Sequence, residues 1–90
     1  MFVIEREIPN AGGLSSEELK TISQSSCDVI DQIGEEKIKW LHSYVTANKV
    51  YCVYSARDEA IIRQHADKGG FPANSVAGVV SIIDPGTASK

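Results

Sequence analysis

The sequence predicts an α+β fold on three observations. Phe2 to Ile8 alternates apolar with charged side chains, the period of a half-buried strand. Two segments, one opening at Ser15 and one at Asp58, carry helix-start signals ahead of apolar residues at helical spacing. Between them lie two runs rich in β-branched and aromatic residues, and a last apolar run follows the second helix. The resulting order βαββαβ is the ferredoxin-like split βαβ arrangement, a four-stranded antiparallel sheet with both helices on one face.

Each element has its own start and stop. Pro9, Asn10, Gly12 and Gly13 end the first strand as a loop. Ser15 with Glu18 three residues on forms a capping box, which satisfies two free backbone donors, and Leu19, Ile22, Ser26, Val29, Ile30 and Ile33 continue at helical spacing up to Gly34. Lys37 to Thr46 and Lys49 to Ser55 read as a hairpin joined by Ala47 and Asn48. That two-residue loop pairs Thr46 with Lys49, so His42 falls opposite Val53 and Cys52 opposite Ser43 on the other face. Asp58 and Glu59 favour the positive end of a second, short helix, whose Ile61, Ile62, His65 and Ala66 share a face before Gly69 and Gly70. "FPANS" is a turn, Val76 to Ile83 a continuous apolar strand, and residues 84–90 a polar tail beyond a single domain of residues 1–83.

A chain of 90 residues sustains one modest core, near the size at which association supplies extra burial. Hydrophobic residues at 42% and charged residues at 23% exclude a disordered or fibrous chain. A net charge of −3, with the basic residues scattered from Arg6 to Lys90, leaves no basic stripe for nucleic acid. Glu5, Arg6 and Glu7 interrupt the apolar run a signal peptide needs, and no segment reaches membrane-spanning length, so a cytoplasmic protein without a membrane partner is expected. Cys27 and Cys52 are expected to be reduced, small apolar residues, poorly reactive within apolar elements.

On the second strand Trp40, His42 and Tyr44 are expected on one side and Leu41 and Val45 on the other, while the last strand is apolar on both sides. Strands of this kind predict that the sheet's free face is covered, most simply by a second copy in a homodimer. Exposed aromatics on a monomer are the alternative.

The residues able to carry chemistry are few. His42 can bind a metal, transfer a proton or sit hydrogen-bonded in a core, and His65, on the Ile61/Ile62 face, faces the same choice with burial favoured. Cys52 reads as a buried strand thiol. Glu5 and Glu7 share the face of strand one opposite Ile4 and Ile8, where a carboxylate needs solvent or a cation: Arg6, a lysine or a metal. The chain has no CxxC, HExxH, P-loop, GxSxG or aromatic RNP pattern, which removes the main support for copper chaperones, zinc proteases, nucleotide binders, serine hydrolases and RNA-recognition domains. No catalytic residue is assigned.

The aromatic-x-His of Trp40 and His42, the "KVYC" ending at Cys52, His65 and the "GGFPA" turn together resemble a bacterial family of small ferredoxin-like proteins, a domain of unknown function typified by a nickel-responsive, nickel-binding protein. "FVIEREIPNAGGLSSEEL" fits the same pattern, so the resemblance spans nearly the whole chain. It implies a dimeric ferredoxin-like fold that binds nickel or another divalent metal through imidazole and carboxylate, with His42, His65 and Glu5 or Glu7 as ligands. The sequence departs from the nickel-binding type at "EREIP", where that type is His-rich, and at Phe71, where it has a His. The expected function is therefore a small dimeric metal-binding or metal-responsive protein rather than an enzyme. The alternatives are a dimeric-barrel enzyme or accessory protein, whose apolar pocket takes a small molecule and uses His42 as acid or base, and a structural or interaction module with packed histidines.

Overall fold

The structure, a computed structural model, describes residues 1–89. Its elements run β1 (Phe2–Glu7), α1 (Ser16–Ile33), β2 (Ile38–Val45), β3 (Lys49–Ala56), α2 (Glu59–Gly69) and β4 (Ser75–Gly78), with short 3-10 turns at Ala11–Gly13 and Pro85–Ser89. The strands form one antiparallel sheet in the order β2-β3-β1-β4, the ferredoxin-like topology.

The capping box forms at the start of α1. Ser15 Oγ accepts from Glu18 N at 3.1 Å, and Glu18 Oε1 accepts from Ser15 N at 3.1 Å. Gly34 closes the helix, its N–H donating to Ile30 O. Asp58 caps α2 by accepting from Ile61 N at 3.0 Å. Gly70 ends α2 in the left-handed region, φ 69°, a conformation a side chain opposes. Its neighbour Gly69 is needed for space, because a Cβ there would come within 2.2 Å of the Phe71 ring, which folds back over the helix end.

The β2–β3 hairpin has the predicted register, with His42 opposite Val53, Ser43 opposite Cys52 and Thr46 N donating to Lys49 O. The expected sidedness of β2 does not hold. A bulge at Leu41 inserts one unpaired residue between Trp40, opposite Tyr54, and His42, opposite Val53. The extra residue reverses the alternation, so Trp40 joins the helix-side core while His42 and Tyr44 lie on the open face. Strand four is also shorter than predicted. β1 offers Phe2–Glu5 and the Met1 carbonyl as partners, the last bond being Val79 N to Met1 O, and Val80, Ile82 and Ile83 continue beyond them exposed and unpaired. Cys52 is buried as expected, but Cys27 is exposed on α1; both thiols are free.

The core lies between helices and sheet. Ile4, Ile30, Ile38, Cys52, Tyr54 and Ile62 form its centre, with Phe2, Trp40, Val50 and Val76 against them. Ile62, fully enclosed, links α2 to this centre. Ile62→Ala should lower stability by about 2–5 kcal/mol, through lost burial and the cavity left behind. For a domain this small the thermal midpoint should drop by on the order of ten degrees or more, measurable by circular dichroism. A drop of only a degree or two would show that Ile62 is not enclosed.

Candidate functional site

Two groups of polar side chains lie on opposite sides of the sheet. On the helix side, Arg6 falls in the same alternation as Ile4 and is carried into the core, 3% exposed. Its Nη1 donates to Pro72 O at 2.6 Å, its Nε to Cys52 Sγ at 3.4 Å, and its guanidinium carbon stands 5.4 Å from the centre of the Phe71 ring. Nη2 is buried with no hydrogen-bond partner. The "GGFP" turn supplies both Phe71 and the Pro72 carbonyl. It brings Phe71 back by way of Phe71 N donating to Ala66 O at 2.9 Å.

His65 lies beside this cation, fully enclosed and stacked on Phe71 with ring centres 5.5 Å apart. Its Nε2 shares a hydrogen bond with Ser26 Oγ at 3.0 Å, and Ser26 Oγ lies 3.4 Å from Tyr54 Oη. Nδ1 has no partner. Burial, and then the Arg6 charge, push the His65 pKa down, so its neutral form is favoured; burial raises the Tyr54 pKa. The ring therefore serves in the packed role that the Ile61/Ile62 face implied.

On the open face, His42 lies edge-on to Tyr44 with ring centres 5.1 Å apart, and Tyr44 is 61% exposed. Register lines up His42, Val53 and Val3 across three strands, and Tyr44, Tyr51 and Glu5 in the next row. Glu7 follows Glu5 along the same face of β1. Glu5 has a cation of its own, Lys49 Nζ at 2.5 Å, and that bond and charge raise the Lys49 pKa.

His42, Glu5 and Glu7 thus share one face, but strand spacing alone puts Glu5 roughly 12 Å from His42. His65 lies beyond the sheet from all three. Among the described residues no three His, Cys, Asp or Glu side chains gather as a metal group. Sequence reasoning missed Arg6 as a core residue, although its parity with Ile4 and Ile8 was the signal.

Fold and side chains together define a small ferredoxin-like α+β protein with one histidine accessible on the free sheet face and a second sealed beneath its helices. The chain belongs to the family described as nickel responsive protein SCO4226-like, whose profile matches residues 2–79. In fold it is similar to the crystal structure of SCO4226 from Streptomyces coelicolor A3(2), with a TM-score of 0.72 and 18% identity over 91% of this chain and 98% of that one. No curated protein matches the sequence significantly. No helix among the described residues is long and apolar enough to cross a membrane.

The lowered His65 pKa gives stability a pH dependence of defined sign. As pH falls through about 6.5 the unfolded chain takes up a proton that the folded imidazole resists. The contribution is thus fully present above that pH and is lost on further acidification. The thermal midpoint should fall on the acid side of about 6.5, and less steeply in His65→Gln. Equal slopes in the two proteins would remove His65 as the source.

Proposed function

We propose that this chain is a metal-responsive protein of the bacterial cytoplasm that binds nickel or another divalent metal as a homodimer, without enzymatic activity. Membership of a family described as nickel responsive carries the reading. The ligands proposed are His42, with the one exposed imidazole, and Glu5 and Glu7 on the same sheet face. Imidazole with carboxylate oxygen suits nickel.

Their separation within one chain favours a site completed by a second copy meeting the same face. The apolar and aromatic side chains there, Val3, Tyr44, Tyr51 and Val53, give that contact a driving force. Val80, Ile82 and Ile83, beyond the end of β4, are further exposed apolar side chains. His65, expected among the ligands, belongs to the core in this reading.

Metal should raise the thermal midpoint. At a free concentration about 100 times the dissociation constant the gain is roughly 2.7 kcal/mol, a shift on the order of ten degrees or more. His42→Ala should remove most of the shift, whereas His65→Gln should lower the baseline and keep it. The shift should fade on acidification, because ligands must be deprotonated to bind metal. No change at pH 7.5 with about millimolar nickel, cobalt or zinc would end the metal reading. Sedimentation at micromolar concentration should give a dimer, and a monomer alone would end the sheet-to-sheet model.

A further inference from the structure

The metal reading makes no use of the cavity on the other side of the sheet. It measures about 80 Å³ between α1 and the strands, with Leu19 and Ile22 on one wall and Trp40 and Val50 on another. Ile22 and Val45, each more than a third exposed, line it and open it toward solvent. Its lining is almost wholly apolar and includes one charged side chain, Arg6.

A guanidinium removed from water calls for an anion, yet no carboxylate lines this cavity. Its partners are a carbonyl, a thiol and a ring face, all formally neutral, and Nη2 has none. Tyr54, which feels the Arg6 charge, does not neutralise it, because burial raises its pKa and favours the uncharged phenol, and His65 has no anionic form to offer. One positive charge, on a side chain that lines an apolar cavity reaching solvent and keeps one buried donor unused, is the chemistry of a monoanion receptor. A dianion would bring a second charge with no partner. An engineered cavity of about 150 Å³ accommodates benzene, so this volume encloses about three heavy atoms, and the alkyl end of a longer ligand lies in the mouth beside Ile22 and Val45.

We propose that the Arg6 cavity binds a short-chain monocarboxylate of about butyrate's size, with its carboxylate on the Arg6 guanidinium and its alkyl chain between α1 and β2–β3. The site is independent of the metal reading, because none of His42, Glu5 and Glu7 lines it.

Trp40, the chain's single tryptophan, lines the cavity and donates from Nε1 to Ser43 Oγ at 2.9 Å, so its fluorescence reports occupancy. The full chain, in chelator to exclude metals, is titrated with sodium butyrate while Trp40 emission and the thermal midpoint are followed. A saturable change with a dissociation constant on the order of a millimolar is expected, a scale set by so few ligand atoms. Butanol, butylamine, sodium chloride and sodium nitrate should give no saturable change at equal concentration. Arg6→Met, checked for cooperative unfolding, should weaken butyrate tenfold or more. Leu19→Phe, which fills the cavity and keeps the charge, should do the same, and it decides alone if Arg6→Met does not fold. Absence of a saturable butyrate response, an equal response to butanol or chloride, or unchanged affinity in Leu19→Phe overturns the proposal.

Discussion

The requirement that most constrains this domain is the accommodation of the Arg6 charge inside its core. Strand alternation leaves no choice of side, because Ile4 must face the helices and Arg6 follows two residues on. Moving a guanidinium out of water is costly unless its donors are met. The rest of the fold is arranged around meeting two of its three nitrogens and leaves Nη2 without a partner. β3 contributes the Cys52 sulfur, and the turn after α2 contributes a carbonyl and a ring face. That turn in its place requires Gly69 to make room for Phe71 and Gly70 to reverse the chain. The same ring stacks on His65, which the cation and its own burial hold neutral. A motif that reads as a loop is thus the outer half of a buried polar cluster.

The bulge at Leu41 gives β2 two roles. Before it, Ile38 and Trp40 close the helix-side core; after it, His42 and Tyr44 furnish the free face. A regular strand would have left Trp40 beside His42 on one face. The one-residue insertion instead separates the fluorescent indole, hydrogen-bonded to Ser43 beside the cavity, from the imidazole proposed as a metal ligand.

The elements were legible in the sequence wherever a local rule governs them. Ser15 with Glu18, Asp58, Gly34 and the two-residue turn at Ala47–Asn48 act through backbone groups a few residues away, and the structure follows them closely. His65 was legible as packed because helical spacing put it with Ile61 and Ile62. Non-local features were not. Nothing in "WLHSY" distinguishes a bulge from regular alternation, since both leave an aromatic at every second position. The run from Val76 to Ile83 reads as one strand, but its pairing with β1 ends at Gly78, opposite Phe2. Cys27 looked buried because it lies within an element with an apolar stripe, whereas it is exposed, off the face that Ser26, Val29 and Ile30 bury. Likewise the separation of His42 from Glu5 depends on strand order, which only the assembled sheet defines.

The span of the Arg6 contacts bears on how the chain reaches this state. Cys52 lies 46 residues from Arg6 and Pro72 lies 66 away, so both hydrogen-bond partners of this side chain come from far along the chain. Closing such loops costs chain entropy before any contact repays it, and topologies rich in them fold more slowly than local ones. Until both loops close, the guanidinium stays hydrated, and β1 has little reason to commit to its place between β3 and β4. β1, one of the two central strands, is thus held by contacts that span most of the chain, whereas α1, α2 and the hairpin rest on local signals of their own.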